Sequence, residues 1–156
     1  MSAAAENHFD VAIVGGGPVG MTLALALVQS MRGIRVALVD RRPLSVPKDN
    51  RASAIAAGVR RVFEALGVWA EMEAHSQPIT AMRITDSGTG DIARPLFLQF
   101  EGEVAPGEAF AHMVPNTASQ AALLGAMGDL VDVIPPAEIA DWSEGRLVLA
   151  AGRTPV

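Results

Sequence analysis

"FDVAIVGGGPVGMTLALALV", Phe9 to Val28, sets three consecutive glycines between a β-like apolar run and a helix-like one. The run from Phe9 to Val14 is short, β-branched and ended by glycine, which predicts a buried strand. Pro18 to about Met31 predicts a helix, with Pro18 in the first turn, where its missing N–H costs little. Arg35 to Val39 is a second apolar strand, and the connection is long enough for a crossover, so the natural assembly is a parallel βαβ unit.

Gly15, Gly17 and Gly20 match G-x-G-x-x-G, and Ala24 supplies a small residue one helical turn later. The match has its required context: a strand before, a helix after, and Asp40 at the end of the next strand, 25 residues past Gly15. Gly15 permits the tight turn, Gly17 has no Cβ to block a diphosphate, and Gly20 and Ala24 let the helix lie close on the strands. Beyond Pro18, the first-turn residues Val19 and Gly20 then present free N–H groups and the positive end of the helix dipole to that anion. Asp40 would accept hydrogen bonds from ribose hydroxyls. Taken alone, the glycines would make only a tight turn and Asp40 a solvated acid; strand, helix, small residue and acid in register favour a dinucleotide.

Asp40 repels a 2′-phosphate, although Arg41 and Arg42 offset that charge, so charge does not settle which dinucleotide binds. Arg51 discriminates better: its guanidinium can reach back from beyond the proline loop 42–51 and pair with the same diphosphate in a fork.

Downstream, apolar positions Ala52, Ile55, Ala56, Val59, Val62, Phe63 and Leu66 follow helical spacing, so one helix is expected from Ala52 to Leu66, with Arg51 at its head and Gly67 ending it. Val68 to Ala74 adds a short helical turn. From Ile79, "ITAMRITDSGTGDIARPLFLQF" predicts a β-hairpin turning at Ser87–Gly90. Phe110 to Val114 reads as a strand and Asn116 as the N-cap of a helix to Met127. Leu130 to Ile134 is a strand. Ile139–Trp142 and Leu147–Ala151 form a further hairpin, followed by a turn at Gly152-Arg153.

The whole chain of 156 residues has 50% hydrophobic and 19% charged residues, enough to build a core. No apolar run reaches the ~18 residues of a membrane span. Residues 1–10 lack a basic start and carry Glu6 and Asp10, unlike a secretory signal. There are no cysteines, which excludes disulfides and thiolate chemistry. A net charge of −5 without a basic stripe argues against nucleic acid. His8, His75 and His112 show no ligand spacing and read as surface or loop residues. No metal site and no catalytic side chain is expected.

"DVAIVGGGPVGMTLALAL", "VALVDRRP", "RASAIAAGVRRVFEALGVW" and "MVPNTASQAALLGAM" together resemble the FAD-dependent aromatic hydroxylases related to para-hydroxybenzoate hydroxylase, in the branch of the ubiquinone-biosynthesis hydroxylases. The resemblance implies an α/β fold: a Rossmann-like FAD-binding βαβ core with a parallel sheet, a β-hairpin insertion and an incomplete β-meander. It divides the chain into a partial FAD/NAD(P)-binding domain, 1–78 and 116–156, and a β insertion, 79–115, belonging to a substrate-side sheet. There Met82, Ile84, Leu96 and Leu98 are either substrate-side residues or plain core. It assigns Gly15, Gly17, Pro18, Val19 and Gly20 to the FAD diphosphate, Asp40 and Arg41 to the adenosine, Arg51 to the phosphates, and Asn116 and Gln120 to the cofactor side of the later helix. Ser119 departs from the leucine expected there.

The implied chemistry is transfer of one oxygen atom from O2 to an electron-rich aromatic ring, with NAD(P)H reducing the flavin. Such hydroxylases are more than twice this length, and their two later Gly-Asp motifs do not occur here. The expectation is an N-terminal portion that is inactive alone, binds FAD weakly or not at all, and self-associates through uncovered apolar surface. The expected location is cytoplasmic, with peripheral contact to the inner membrane if the substrate is an isoprenoid quinone precursor. Two rivals remain: an NAD-binding oxidoreductase domain, and a non-enzymatic dinucleotide-binding module.

Overall fold

A computed structural model describes residues 8–48, 50–85, 96–143 and 145–150. The elements run β1 (Val11–Val14), α1 (Pro18–Ser30), β2 (Val36–Val39), β3 (Ala52–Ala56), α2 (Ala57–Ala65), α3 (Trp69–Glu73), β4 (Gln77–Ile79), β5 (Ala81–Thr85) and β6 (Leu96–Glu101). They continue with β7 (Glu103–Ala105), β8 (Glu108–Ala109), β9 (Ala111–Pro115), α4 (Asn116–Met127), β10 (Asp132–Val133), β11 (Ile139–Ser143) and β12 (Arg146–Leu149).

β1, α1 and β2 form the expected parallel βαβ unit, in register from Val11↔Val36 to Val14↔Val39. β10 joins the other side of β2, also parallel, through Asp132↔Ala37 and Val133↔Leu38. β2 is thus the middle strand, and all four of its residues are buried. Burial on both faces is why "VALV" carries no polar alternation. Met21, Ala24 and Leu25 of α1 and Leu123 and Met127 of α4 close over the sheet in one core with Ile13, Phe63, Trp69, Met72 and Val114. The architecture is a Rossmann-like α/β core with antiparallel additions.

Those additions are a β3–β9–β4 sheet, the β5–β6 hairpin, the β7–β8 pair and the β11–β12 hairpin. The anticipated turns at Ser87–Gly90 and at Gly152-Arg153 lie outside the described residues.

Two expectations need correction here, and one open alternative is narrowed. The segment from Ala52 is not helical at its start: Ala52–Ala56 is a strand, paired with β9 from Ala52↔Pro115 to Ala56↔Ala111, and only Ala57–Ala65 is helix. Helical spacing over 52–66 is real in its second half, where Ala57, Phe63 and Leu66 are buried. In the first half small alanines fit either state, and pairing with β9 decides. His112 is no surface residue, being 7% exposed on β9. Finally, Met82, Ile84 and Leu98 are not plain core: with Phe100 they stay 36–47% exposed on one face of the β5–β6 hairpin.

Candidate dinucleotide site

The glycine loop joins β1 to α1. Gly15 has φ +112°, a backbone conformation that L side chains rarely adopt, and its N–H donates to the Val39 carbonyl (2.8 Å), carrying β1–β2 pairing into the turn. A Cβ on Gly20 would overlap the Gly15 carbonyl oxygen, so the first turn of α1 rests directly on the loop. A Cβ on Gly17 would meet nothing within 4 Å. The ground in front of the helix is therefore open at the position where a diphosphate needs clearance.

Gly17 is the N-cap of α1 and Pro18 the first helical residue; no side chain caps the helix. First-turn N–H groups have no carbonyl of their own helix to bond, and with the helix dipole they favour an anion. Pro18 and Val19 are exposed at this end.

Asp40 follows β2 and faces the loop. The Gly16 N–H donates to its Oδ2 (2.8 Å) and the Arg42 N–H to its Oδ1 (2.9 Å). The Arg42 bond first and the Gly16 bond second hold the Asp40 carboxyl below its ordinary range; partial burial opposes them, and the charges of Arg42 and Arg41 assist. A carboxylate has about four acceptor positions, so two backbone bonds leave capacity for ribose hydroxyls.

A hollow of about 410 Å³ opens beside these groups, lined by Val14, Gly15, Val39, Asp40, Arg41, Arg42, Ala137, Glu138 and Ile139. The 134–138 segment reaches it because the Ile134 N–H donates to the Leu38 carbonyl and the Ala137 N–H to that of Asp40, both at 3.0 Å. Sequence reasoning missed this wall. Its one signal was "IPP", which ends the β10 strand just where the chain turns across the sheet.

Arg51, Asn116 and Gln120 do not line this hollow. They belong to a second cluster at the junction of β3, β9 and α4. Arg51 is exposed immediately before β3, not at a helix head as expected, and its carbonyl accepts the Asn116 N–H (2.9 Å). Asn116 is the first residue of α4; the N-cap is Pro115, and no side chain caps the helix. The expected capping role thus fails, because the Asn116 side chain is engaged sideways: Oδ1 accepts the Ser53 hydroxyl (2.8 Å). Gln120, half-buried, lies four residues on, on the same side of α4. Ser119, at the departure from the family pattern, is buried with its hydroxyl on the Pro115 carbonyl (3.3 Å). Among the described residues no cluster could hold a metal ion.

A βαβ unit with an open glycine turn, an uncapped helix head and a carboxylate at the end of the second strand defines a dinucleotide-binding α/β domain. The particular family is shown by comparison: the chain belongs to the FAD binding domain family, which matches residues 8–138. FAD is the cofactor of that family, and the clearance at Gly17 and the spare acceptor capacity of Asp40 fit it. The chain is 36% identical over 134 residues to the ubiquinone hydroxylase UbiL of Rhodospirillum rubrum, an alignment covering 83% of this chain and 29% of UbiL. The fold matches PqsL of P. aeruginosa in complex with 2-aminobenzoylacetate, with TM-score 0.71 and 22% identity over 94% of this chain and 40% of that one. It also matches the flavin-dependent monooxygenase PieE in complex with FAD and substrate, with TM-score 0.63 and 22% identity over 87% of this chain and 25% of PieE. The chain thus spans less than a third of the length of UbiL.

Proposed function

We propose that this chain is the FAD-binding part of a flavin-dependent monooxygenase that hydroxylates an aromatic ring, with a ubiquinone precursor as substrate class. The observation carrying the cofactor half is the open turn at Gly17 beside the Asp40-lined hollow. Similarity to UbiL supports the substrate class. When bound, FAD supplies the oxygen chemistry, with O2 as co-substrate and NAD(P)H as electron donor.

The chain's own contribution is binding and placement. Gly15, Gly17, Pro18, Val19 and Gly20 receive the diphosphate, with Asp40 and Arg41 at the adenosine. Arg51 pairs with the phosphates, while Asn116 and Gln120 approach the cofactor from α4. Residues 1–78 and 116–156 form the cofactor-binding domain, and 79–115 is an insertion directed to the substrate side. Supporting that division, Ile79, the first residue of the insertion, pairs with Ala111, at the start of its last strand. Oxygen transfer belongs to the longer polypeptide in which this domain works, in the cytoplasm or at the inner membrane surface. Among the described residues no helix is long and apolar enough to cross a membrane.

Titrating FAD and NADH separately into the isotope-labelled chain tests the cofactor assignment, because amide shifts register weak binding. FAD should move the 15–20 amides at lower concentration than NADH, and Arg51→Ala should weaken FAD by about 10-fold or more, the worth of one charge-assisted pairing. Equal response to both nucleotides, untouched by Arg51→Ala, would favour the NAD-binding alternative. In the longer polypeptide, supplied with NAD(P)H and labelled O2, one labelled oxygen should enter a phenolic quinone precursor.

A further inference from the structure

We infer that Asp40 is a positioning residue before it is a ribose acceptor: its carboxylate latches the glycine loop into its anion-receiving shape in the absence of any nucleotide. This rests on reading the loop as the diphosphate site.

The geometry shows one residue joining three segments, two through its side chain and one through its backbone. Asp40 Oδ2 takes the Gly16 N–H from the loop, and Oδ1 takes the Arg42 N–H from the turn after β2. Its own carbonyl takes the Ala137 N–H. Gly16 is enclosed as well as bonded: a Cβ there would overlap the Leu44 side chain and lie 3.4 Å from the Asp40 Cβ. Leu44 in turn packs against the core. Gly15 is held through its N–H by Val39 and Gly16 by Asp40 and Leu44, while a Cβ on Gly17 would meet nothing within 4 Å. A ribose acceptor needs only an oxygen facing the hollow. Occupation of one carboxylate oxygen by the loop itself is an additional feature, and it removes loop disorder that binding would otherwise have to overcome.

The two roles predict opposite signs for inorganic pyrophosphate, which has no ribose. A carboxylate repels that anion, so an acceptor-only Asp40 could be neutralised with unchanged or tighter pyrophosphate binding. A latch, once neutralised, lets the loop relax and weakens it. The experiment uses the isotope-labelled chain without nucleotide. The Gly16 and Arg42 amide shifts should titrate together, with a midpoint below that of an ordinary aspartate. Asp40→Asn should accelerate Gly16 amide exchange about 10-fold or more, as loss of a charge-assisted bond implies, and weaken pyrophosphate several-fold, by roughly 3–10. Amides of Val36–Val39 report that the variant is folded; if it is not, the wild-type titration alone decides. A Gly16 amide indifferent to pH overturns the latch, as does a folded variant that binds pyrophosphate as well as or better than the wild type. Gly16 titrating while FAD leaves the loop amides unmoved would retain the latch and remove the cofactor reading instead.

Discussion

Gly17 and Gly20 stand three positions apart in one motif, yet the structure gives them different work. A side chain at Gly20 would enter the Gly15 carbonyl, a backbone atom that cannot yield, whereas Gly17 faces open space at φ −77°, an ordinary value for any residue. Gly20→Ala should therefore lower stability by about 1–3 kcal/mol, as overpacking does, read as a shift in the urea midpoint. Gly17→Ala should melt within about 0.5 kcal/mol of the parent and still weaken FAD by about 10-fold, because its Cβ occupies the diphosphate's approach. Loss of stability at residue 17 without loss of binding would reverse the assignments. Asp40 adds a pH dependence. Its folded-state pKa lies below the unfolded value, so its contribution is present above the unfolded carboxyl range and is lost as pH falls through the lowered folded value. Thermal melts of wild type and Asp40→Asn should differ most near neutrality and converge in acid, as pH falls through and below the ordinary carboxylate range.

At the scale of elements, β9 is the strand on which sequence and structure part company. Its place between β3 and β4 converts Ala52–Ala56 from an expected helix start into a strand and buries His112. The imidazole meets Trp69 edge-on, ring centroids 5.2 Å apart, and the Arg60 guanidinium lies over that indole, 5.6 Å from its centroid. Neither His112 Nδ1 nor Trp69 Nε1 has a protein hydrogen-bond partner among the described residues. His112→Phe keeps an aromatic ring there and removes a buried polar atom, so it should hold or raise stability, by up to about 1 kcal/mol. His112→Ala removes the ring and should cost about 2–4 kcal/mol. Chemical denaturation of the pair decides whether packing or polarity governs the site. None of this was legible from 52–66 and 110–115 separately, because a strand among small residues is specified by its partner rather than by its own periodicity.

At the scale of the whole molecule, two hairpins among the described residues carry large apolar side chains to the surface. Met82, Ile84, Leu98 and Phe100 share a face of the β5–β6 hairpin, opposite the Arg83–Glu101 pair, and Trp142 on the β11–β12 hairpin is 75% exposed. Surfaces of this kind favour association, and the chain should scatter light as a dimer or larger at tens of micromolar, roughly the range in which exposed patches pair. A monomer under those conditions would show that the two hairpins remain solvated. The sequence by itself determined the βαβ core, the glycine turn, the acid at its edge and the extent of α4, because each is written in local terms: a strand-to-helix change of period, a residue without Cβ, a proline at a helix start. Only the tertiary structure decided that Ala52–Ala56 is a strand, that Arg51 and Asn116 meet beside Ser53 rather than around the hollow, that residues 137–139 wall that hollow, and that Asp40 bonds the loop it was expected merely to face. Those outcomes depend on pairing between segments 24 to 97 residues apart, and no local pattern records which backbone groups a distant segment will satisfy.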